Sequence, residues 1–510
     1  MTVARGTDEV VAQEVSSRTY WPVDISDVGH YCPTIMLHTS QTGRSRTAAV
    51  AVAAALALML GWSSVAATPS AVAAPALPDI SEPTPPADSF YDRPADLDEA
   101  APGEVLRSRP VAVRALQLLP IAVDAWQLLY RTTAADGSPD ATVTTVMIPR
   151  GASPKKLLSY QAATDATLRE CNPSYSLTQG LPIDFSVPAG PLTLTLPGVE
   201  VLLATSGLAQ GWAVTMPDHG GVDARFLTPR QPGFAVLDGI RAAQSFSPAG
   251  LEPNGPTALW GYSGGAIASS WAVEEKEEYA PELNIVGAAF GAPERDLEAS
   301  LQSANGGLLA GLIPVALSAM AKDSPEFAAA LDPYLTDRGR AIVADTRQHC
   351  LAQNVLSNIW FDYRAYLNAP LEAVLAQPDI ARAISDRGIS GRASSVPTYV
   401  YNGVTEEVAP VSGTDKLVRS YCEAGSSVTY RREELPPALP TQIYSTHGTV
   451  AVSGAPGAFD WLKSRLDGAP ASPGCDIQTV PSTLIEQRSL ARLGPMVSAA
   501  LTTLLGLPPQ

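Results

Sequence analysis

The stretch that decides the fold is Thr257-Ala-Leu-Trp-Gly261-Tyr-Ser263-Gly264-Gly265-Ala-Ile-Ala268. Thr257–Trp260 predicts a short buried strand, and the small residues from Gly264 onward predict a helix. Between them lies the pattern G-x-S-x-G, in which a serine occupies a tight strand-to-helix turn. Both ends of the pattern need glycine because a side chain would clash across the turn. The context predicts that Ser263 is a nucleophile exposed at the carboxyl edge of a sheet.

The alternative for Ser263 is a chance match, since the chain is rich in glycine, serine and alanine. The strand, the turn and the helix nevertheless follow one another in the order that the motif requires. The turn also places the serine at a helix N-terminus, where free N–H groups and the helix dipole favour negative charge. We therefore interpret Ser263 as a nucleophile.

Outward from this turn, strands alternate with helices, which is typical of an α/β fold with a mostly parallel sheet and helices on both faces. The predicted strands are Trp126–Thr132, Ala141–Pro149, Lys156–Gln161, Trp212–Met216, Asn284–Phe290, Pro397–Tyr401 and Thr441–Tyr444. The predicted helices outside the motif are Gly198–Leu208, Gly233–Ala243, Phe459–Arg465 and Leu484–Leu505.

A long segment between two of these strands has a different pattern. Residues 296–391 lack a strand signal and carry apolar residues at helical spacing, as in Leu308–Met320 and Leu356–Leu367. The segment is far longer than the usual connection of about 2–6 residues, which favours an inserted helical cap over ordinary crossover helices. We predict a core made of residues 88–295 and 392–510 with a cap, or lid, at 296–391.

The N-terminal region predicts export. Arg44-Ser-Arg46 precedes the apolar run Thr47–Leu60, and Ala71-Val-Ala73 follows it, which is the pattern of a signal peptide. The run is shorter than the roughly 20 residues of a membrane span, which disfavours an uncleaved anchor. We predict translation from Met36, a signal peptide at 36–74 and a flexible Pro/Ala-rich leader at 75–87, with residues 1–35 as an extension outside the true coding region.

Composition narrows the class of protein. Hydrophobic residues make up 45% and charged residues 17% of the chain, which predicts a filled core. The net charge of −17 without basic clusters disfavours nucleic acid and anionic membranes as partners. Cys32 lies upstream of the signal, and the other four cysteines predict two disulfides with three possible pairings. No CxxC or HxxxH spacing supports a metal site, and we expect no cofactor.

A serine hydroxyl needs a base, and three histidines follow the signal peptide: His219, His349 and His447. In this architecture the order along the chain is serine, acid, histidine, which excludes His219. His349 lies inside the helical insertion beside Cys350. His447 follows a predicted strand, in the polar loop 445–448. The sequence therefore selects His447.

The acid is expected in the loop 402–410, which follows the strand Pro397–Tyr401. Glu406 or Glu407 could hold the imidazole, and spacing does not choose between them. Both could also be solvated surface charges, and Asp415 is a weaker candidate because it begins the next helix. The negative charge that develops on the substrate's carbonyl oxygen, the oxyanion, needs two hydrogen-bond donors. The backbone N–H of Gly264 is one donor, and the loop 162–168 with Asp165 at its centre is expected to supply the other.

Several stretches resemble the secretory lipase family, in its yeast lipase A-like, actinobacterial branch of the α/β-hydrolase superfamily. The matching stretches are Asp88-Ser-Phe-Tyr91, Cys171-Asn-Pro-Ser-Tyr175, Pro217-Asp218 with its glycine pair, Val236–Ala242, the serine turn, Trp271–Tyr279 and Pro397–Pro410. They cover essentially the whole mature chain in order, which is far more specific than the pentapeptide alone. The resemblance implies an α/β-hydrolase fold that hydrolyses triacylglycerols and simpler esters, often with a cap and a C-terminal flap over an acyl tunnel.

The resemblance also assigns residues. The family's aspartate in G-x-x-D-E-x-x-P falls on Glu406, so the implied triad is Ser263, Glu406 and His447, with glutamate replacing aspartate. The family's oxyanion-hole aspartate falls on Asp165, which would have to be protonated in order to donate. The implied disulfides are Cys171–Cys350 and Cys422–Cys475.

The leading hypothesis is a secreted serine carboxylic-ester hydrolase, in particular a triacylglycerol lipase, acting through an acyl-enzyme. We expect a lipid or small-ester substrate, transient contact with lipid interfaces and a monomer. One alternative keeps the triad but transfers the acyl group to an alcohol or sugar, or acts on short-chain esters. Another is a non-catalytic binding protein of the same fold, which a fluorophosphonate probe would not label at Ser263.

Overall fold

The structure is a computed structural model that describes residues 88–180, 195–436 and 444–510. Its strands are β1 (Val105–Pro110), β2 (Arg114–Ala115), β3 (Leu119–Pro120), β4 (Val123–Thr133), β5 (Pro139–Pro149), β6 (Leu157–Gln161), β7 (Ala213–Pro217), β8 (Thr257–Tyr262), β9 (Ile285–Gly291), β10 (Thr398–Gly403), β11 (Val428–Glu433) and β12 (Cys475–Val480). Within the described residues, ten of these form one sheet in the order β1-β4-β5-β7-β6-β8-β9-β10-β11-β12, while β2 pairs with β3.

The pairing of neighbouring strands in the large sheet changes once, from antiparallel to parallel. β1, β4, β5 and β7 pair antiparallel with their neighbours in that order, and from β7 to β12 all pairs are parallel. The central strands β6, β7 and β8 are buried along their whole length. Such continuous apolar runs are typical of parallel strands covered on both faces. The predicted mostly parallel sheet is confirmed.

Helices cover both faces of this sheet. Outside the segment between β9 and β10, the α-helices are α1 (Pro173–Ser176), α2 (Leu196–Ala209), α3 (Gln231–Ser245), α4 (Gly264–Tyr279), α12 (Val411–Glu423), α13 (Thr446–Ser453), α14 (Ala455–Leu466) and α15 (Gln487–Leu504). Short 3-10 helices lie at Ser89–Tyr91, Leu97–Glu99, Arg169–Cys171, Ser247–Ala249, Asp332–Tyr334, Thr346–Gln348, Tyr363–Ala365 and Thr483–Ile485.

The two faces of the sheet have separate cores because side chains alternate along each strand. Leu158 and Trp260 pack with residues of α2, α14 and α15 on one face. Leu157 and Leu259, their neighbours along the strands, pack with α3, α4 and α12 on the other. The strands therefore lie in the middle layer of three, which holds the carboxyl edge of the sheet in a fixed position.

Between β9 and β10 the described chain is helical. The helices there are α5 (Leu297–Ala304), α6 (Leu312–Asp323), α7 (Pro325–Leu331), α8 (Asp337–Asp345), α9 (Leu351–Ser357), α10 (Leu371–Leu375) and α11 (Pro378–Arg387). All of these helices except α9 contribute to one apolar core, which includes Phe327, Leu331 and Ile380. The predicted helix Leu356–Leu367 is wrong: α9 ends at Ser357, and Trp360 has a left-handed φ of 63°, which an α-helix does not accommodate.

Three strands of the large sheet were not predicted, and several predictions fall on residues that the structure does not describe. β1, β11 and β12 had no prediction, and residues 441–443 of the predicted strand Thr441–Tyr444 are not described. The predicted extension, signal peptide and leader (1–35, 36–74 and 75–87), together with Cys32, also lie outside the described ranges. None of the described helices is long and apolar enough to cross a membrane.

Two disulfides connect distant parts of the chain. Cys171 is bonded to Cys350, with 5.5 Å between their Cα atoms, and Cys422 is bonded to Cys475, with 6.1 Å. The first joins the segment before α1 to the helical insertion. The second joins α12 to the exposed edge strand β12. The structure thus contains both pairings that the family resemblance implied.

We expect the double substitution Cys422→Ser with Cys475→Ser to lower the free energy of unfolding by about 2–4 kcal/mol, because the bond closes a long loop in the unfolded chain. Urea unfolding of the oxidised wild type and the variant would measure the difference. A loss below about 0.5 kcal/mol would show that β12 is held by its backbone pairing alone.

Candidate active site

Ser263 occupies a strained turn between β8 and α4. Its φ of 52° and ψ of −124° lie outside the regions that L-residues ordinarily adopt. A Cβ on Gly261 would lie 2.2 Å from the carbonyl oxygen of Gly265, and one on Gly265 would lie 1.9 Å from that of Gln161. Neither position can hold any other residue without moving backbone. The glycines expected from the motif therefore permit this turn.

His447 lies against the serine. Its Nε2 is 2.9 Å from Oγ of Ser263, and its Nδ1 is 2.9 Å from Oε2 of Glu406. The predicted polar loop around His447 is wrong, because the residue lies in the first turn of α13. Ser445 caps that helix by accepting the N–H of Gly448, at 3.0 Å. The cap fixes where the helix begins and hence where the imidazole lies.

The structure distinguishes the two neighbouring glutamates by what they contact. Glu406 is buried, and its Oε1 accepts the backbone N–H groups of Val408 and Ala409, at 2.6 and 3.2 Å. These bonds leave Oε2 facing the imidazole. Glu407 instead accepts the hydroxyl of Ser445 and the backbone N–H of His447, at 2.5 and 3.1 Å. Glu406 therefore contacts the ring, and Glu407 holds the backbone beneath it.

The other candidates from the sequence, His349, Asp415 and His219, do not contact Ser263 or the ring of His447 in any hydrogen bond among the described residues. His349 is in the insertion, 3.6 Å from Asp345. Asp415 pairs with Arg432, at 2.9 Å. His219 is buried, with Nε2 2.8 Å from the carbonyl oxygen of Ala162, so it contacts the loop expected to hold the oxyanion donor.

Asp165 lies directly against the start of α4. A Cβ on Gly264 would be only 1.7 Å from its Oδ1, so the glycine permits this approach. Among the described residues, Oδ1 of Asp165 has no hydrogen-bond partner although it is buried. Burial raises the pKa of Asp165 well above its usual range, and nearby Glu294 and Glu200 raise it further. A neutral carboxyl next to the N-terminus of α4 is able to donate a hydrogen bond.

Glu294 is a site residue that the sequence analysis missed. Glu294 lies on the loop that follows β9, and its Oε1 is 3.0 Å from Oγ of Ser263. The side chain is 8% exposed. A signal for it existed, since Gly291-Ala-Pro-Glu294 comes directly after a strand whose carboxyl end lies beside that of β8. The same position, directly after a strand, is the signal that indicates the acid and the histidine.

The charges around His447 are mostly negative. Burial by itself lowers the pKa of His447, but Glu406, Glu294 and Glu407 raise it to about 9 overall. Burial raises the pKa of Glu294, while the imidazole and the hydroxyl of Ser263 act in the opposite direction. Burial and Glu406 together raise the pKa of Glu407. The imidazolium is thus the form of His447 that its surroundings stabilise.

An apolar cavity of about 100 Å³ begins beside these residues and extends among the helices of the insertion. Glu294 and Val408 line it on the side of the sheet, and Phe226 and Leu227 contribute from the loop before α3. The rest of its lining comes from the insertion and is mostly aliphatic or aromatic, for example Leu312, Met320, Phe361 and Leu371. Such a cavity suits an apolar group attached next to Ser263. The described residues contain no cluster of His, Cys, Asp and Glu that could hold a metal ion.

Comparison with known proteins gives consistent results. The secretory lipase family matches residues 188–474. The chain is 36% identical over 420 residues to a protein of Mycobacterium tuberculosis named "Probable inactive lipase MT1628", covering 81% of this chain and 90% of that one. It is 35% identical over 432 residues to lipase A of Arthroderma benhamiae, covering 84% and 89%. The crystal structure of Candida antarctica lipase A in its closed state matches with a TM-score of 0.68 and 27% identity, covering 84% and 98%.

A mostly parallel sheet with a strand–serine–helix turn at its carboxyl edge, together with these structural neighbours, defines an α/β-hydrolase. The chain belongs to the secretory lipase family. It is a carboxylic ester hydrolase, as the earlier hypothesis expected and in contrast to the alternative of a binding protein.

The different contacts of Glu406 and Glu407 predict that replacing each by glutamine lowers kcat to a different extent. Glu406→Gln should lower kcat by about 10³–10⁴-fold, because an amide facing Nδ1 stabilises the wrong tautomer and leaves the imidazolium unpaired. Glu407→Gln, the matched control, keeps an oxygen for the N–H of His447 and should lose less than about 10-fold. Steady-state hydrolysis of a p-nitrophenyl ester measures both. An equal or larger loss in Glu407→Gln would reverse the assignment.

Proposed function

We propose that this protein is a secreted lipase that cleaves esters of apolar acyl chains through an acyl-enzyme on Ser263. The proposal rests on one observation: the serine, the histidine and the acid form a continuous buried hydrogen-bonded row, and Glu294, which contacts the serine, lines an apolar cavity. The 2.9 Å contacts at both ring nitrogens are within the range that proton transfer requires.

In the proposed reaction, Nε2 of neutral His447 accepts the hydroxyl proton as Oγ of Ser263 attacks the ester carbonyl. Glu406 stabilises the imidazolium through Nδ1–H. The N–H of Gly264 and the carboxyl of Asp165 donate to the oxyanion. Collapse expels the alcohol, which takes the proton from His447 and leaves an acyl-serine. Water attacks this ester by the same route, and Ser263 regains its proton as the acid is released.

The cavity supports an apolar acyl group as the specificity-determining part of the substrate. Except for a few positions such as Glu294 and Ser300, the residues that line it are apolar or aromatic. Each methylene buried there contributes about 0.8 kcal/mol to binding. Triacylglycerols supply such chains, and several relatives carry the name lipase. The word "inactive" in the name of the mycobacterial relative describes that protein; in this chain the three side chains of the proposed triad are present and in contact.

The proposal predicts that kcat/KM on p-nitrophenyl esters rises from acetate to at least octanoate, by up to about 4-fold per methylene until the cavity is filled. Emulsified trioctanoin should be hydrolysed, and Ser263→Ala should abolish both activities. A maximum at acetate would contradict the lipase assignment and leave a short-chain esterase. Hydrolysis retained in Ser263→Ala would contradict the acyl-enzyme.

Export is part of the proposal and is supported by the sequence of residues 44–74, by the family's description as secretory and by two disulfides in the described chain. Expressed from Met36 in an actinobacterial host, the protein should accumulate in the medium with an N-terminus near Ala74. N-terminal sequencing of the purified protein measures this. Retention in the cell with residues 36–74 intact would contradict a cleaved signal peptide.

A further inference from the structure

Ser263 has two neighbours that compete for one proton. Its Oγ lies 2.9 Å from Nε2 of His447 and 3.0 Å from Oε1 of Glu294. A hydroxyl donates one hydrogen bond, so it can serve only one of these two acceptors at a time. The other neighbour must itself be the donor if both contacts are hydrogen bonds. Two arrangements of the same protons satisfy this condition.

The two arrangements differ in their readiness for attack. In the first, Glu294 is a carboxylate that accepts the serine proton, and His447 is an imidazolium that donates to Oγ. His447 then cannot act as a base. In the second, Glu294 is protonated and donates to Oγ, which leaves the serine proton for neutral His447. Only the second arrangement leads to attack by the route that the triad requires.

The position of Glu294 is enforced by its surroundings. Ala292, two residues earlier, has a φ of 45°, in the left-handed region that alanine rarely adopts. Arg295, the next residue, is buried and pairs with Glu274 of α4, at 3.1 Å, and its guanidinium also donates to the carbonyl oxygen of Gly388, at 2.6 Å. Strain of this kind persists only where neighbouring contacts maintain it, and it concentrates at functional sites. The loop therefore presents Glu294 to the serine with little freedom to withdraw.

The groups that face Glu294 act in opposite directions on its protonation. Burial and the carboxylate of Glu406 both favour the protonated form of Glu294, and Asp165, itself neutral, lies nearby. His447 favours the carboxylate. Beyond them, Glu407 lies near His447 and Glu200 near Asp165. A carboxylate at Glu294 in turn stabilises the imidazolium.

We propose that Glu294 is a positioning residue that shares a proton with His447 through the hydroxyl of Ser263 and thereby sets the acidic limb of the pH profile of hydrolysis. The inference rests on the proposed function for the role of the triad. Glu294 acts through Ser263 and His447, which distinguishes it from the triad acid. Its effect is to hold the free enzyme in the imidazolium form over a wider range of pH.

The test replaces Glu294 with its isostere. In Glu294→Gln the negative charge is gone, and the amide N–H can still donate to Oγ and direct the serine proton toward His447. Removing the charge destabilises the imidazolium, so the pKa of His447 should fall by about 1–2 units. The acidic limb of kcat/KM should move to lower pH by the same amount, which makes kcat/KM of the variant about 10–100-fold higher than that of the wild type at a pH on this limb.

Glu298→Gln is the matched control, because it removes an exposed carboxylate from the same segment, four residues further on. Two measurements are made on the full chain: an NMR titration of ¹³C-labelled histidine, with His447 assigned from its loss in His447→Gln, and the pH profile of p-nitrophenyl butyrate hydrolysis. Glu294→Leu, which suits the apolar cavity, should show the same titration shift and replaces Glu294→Gln if that variant does not fold.

The outcomes separate this inference from the proposed function. A lower pKa of His447 in Glu294→Gln but not in Glu298→Gln, with the acidic limb moved to match, supports the inference. The same pKa shift with no ester hydrolysed at any pH supports the proton shared between Glu294 and His447 and overturns the proposed function alone. An unchanged pKa and an unchanged acidic limb, with hydrolysis intact, overturn the inference and leave the proposed function standing.

Discussion

The turn at Ser263 is the constraint on which the rest of the site depends. Two backbone oxygens, of Gln161 and Gly265, lie where a Cβ on Gly265 or Gly261 would have to be. This packing holds the serine at φ 52°, outside the regions that non-glycine residues favour. Asp165 can approach α4 only because Gly264 lacks a side chain. The site is thus built from close backbone approaches around one serine, and the side chains of other elements are arranged against it.

Electrostatically, the site is unusual in having four carboxyl groups, Glu406, Glu407, Glu294 and Asp165, near one imidazole. Burial disfavours the charged forms of Glu407, Glu294 and Asp165. Hydrogen bonds to these groups are unequal. Glu406 accepts hydrogen bonds from two backbone N–H groups, while Asp165 has an oxygen with no partner among the described residues. Carboxyl groups of the same site therefore have very different hydrogen-bond partners, and Asp165 is the one that its surroundings keep neutral.

Much of the architecture could be predicted because its signals are local. The strands around β6 and β8 are continuous apolar runs, and the serine turn carries its glycines in sequence. β11 and β12 were missed because Val428–Glu433 ends in three charged residues and Cys475–Val480 is largely exposed, so neither has the apolar pattern of a core strand. The choice between Glu406 and Glu407 depends on which backbone N–H groups each one reaches, and no spacing rule contains that information. Glu294 follows β9 as Glu406 follows β10, but its contact with Ser263 also depends on the left-handed φ of Ala292, which the sequence does not reveal.

The ion pair of Arg295 also bears on how this chain could change over evolution. Its guanidinium contacts α4 on one side and the carbonyl oxygen of Gly388 on the other, so residues 295 and 388, near the two ends of the segment between β9 and β10, lie in contact. A connection with adjacent ends can be lengthened, shortened or exchanged at small entropic cost. Its helices can therefore vary the lining of the apolar cavity without disturbing the strands that precede Ser263 and Glu406. The lining of the cavity and the hydrogen-bonded row at Ser263 are in this way separable parts of one polypeptide.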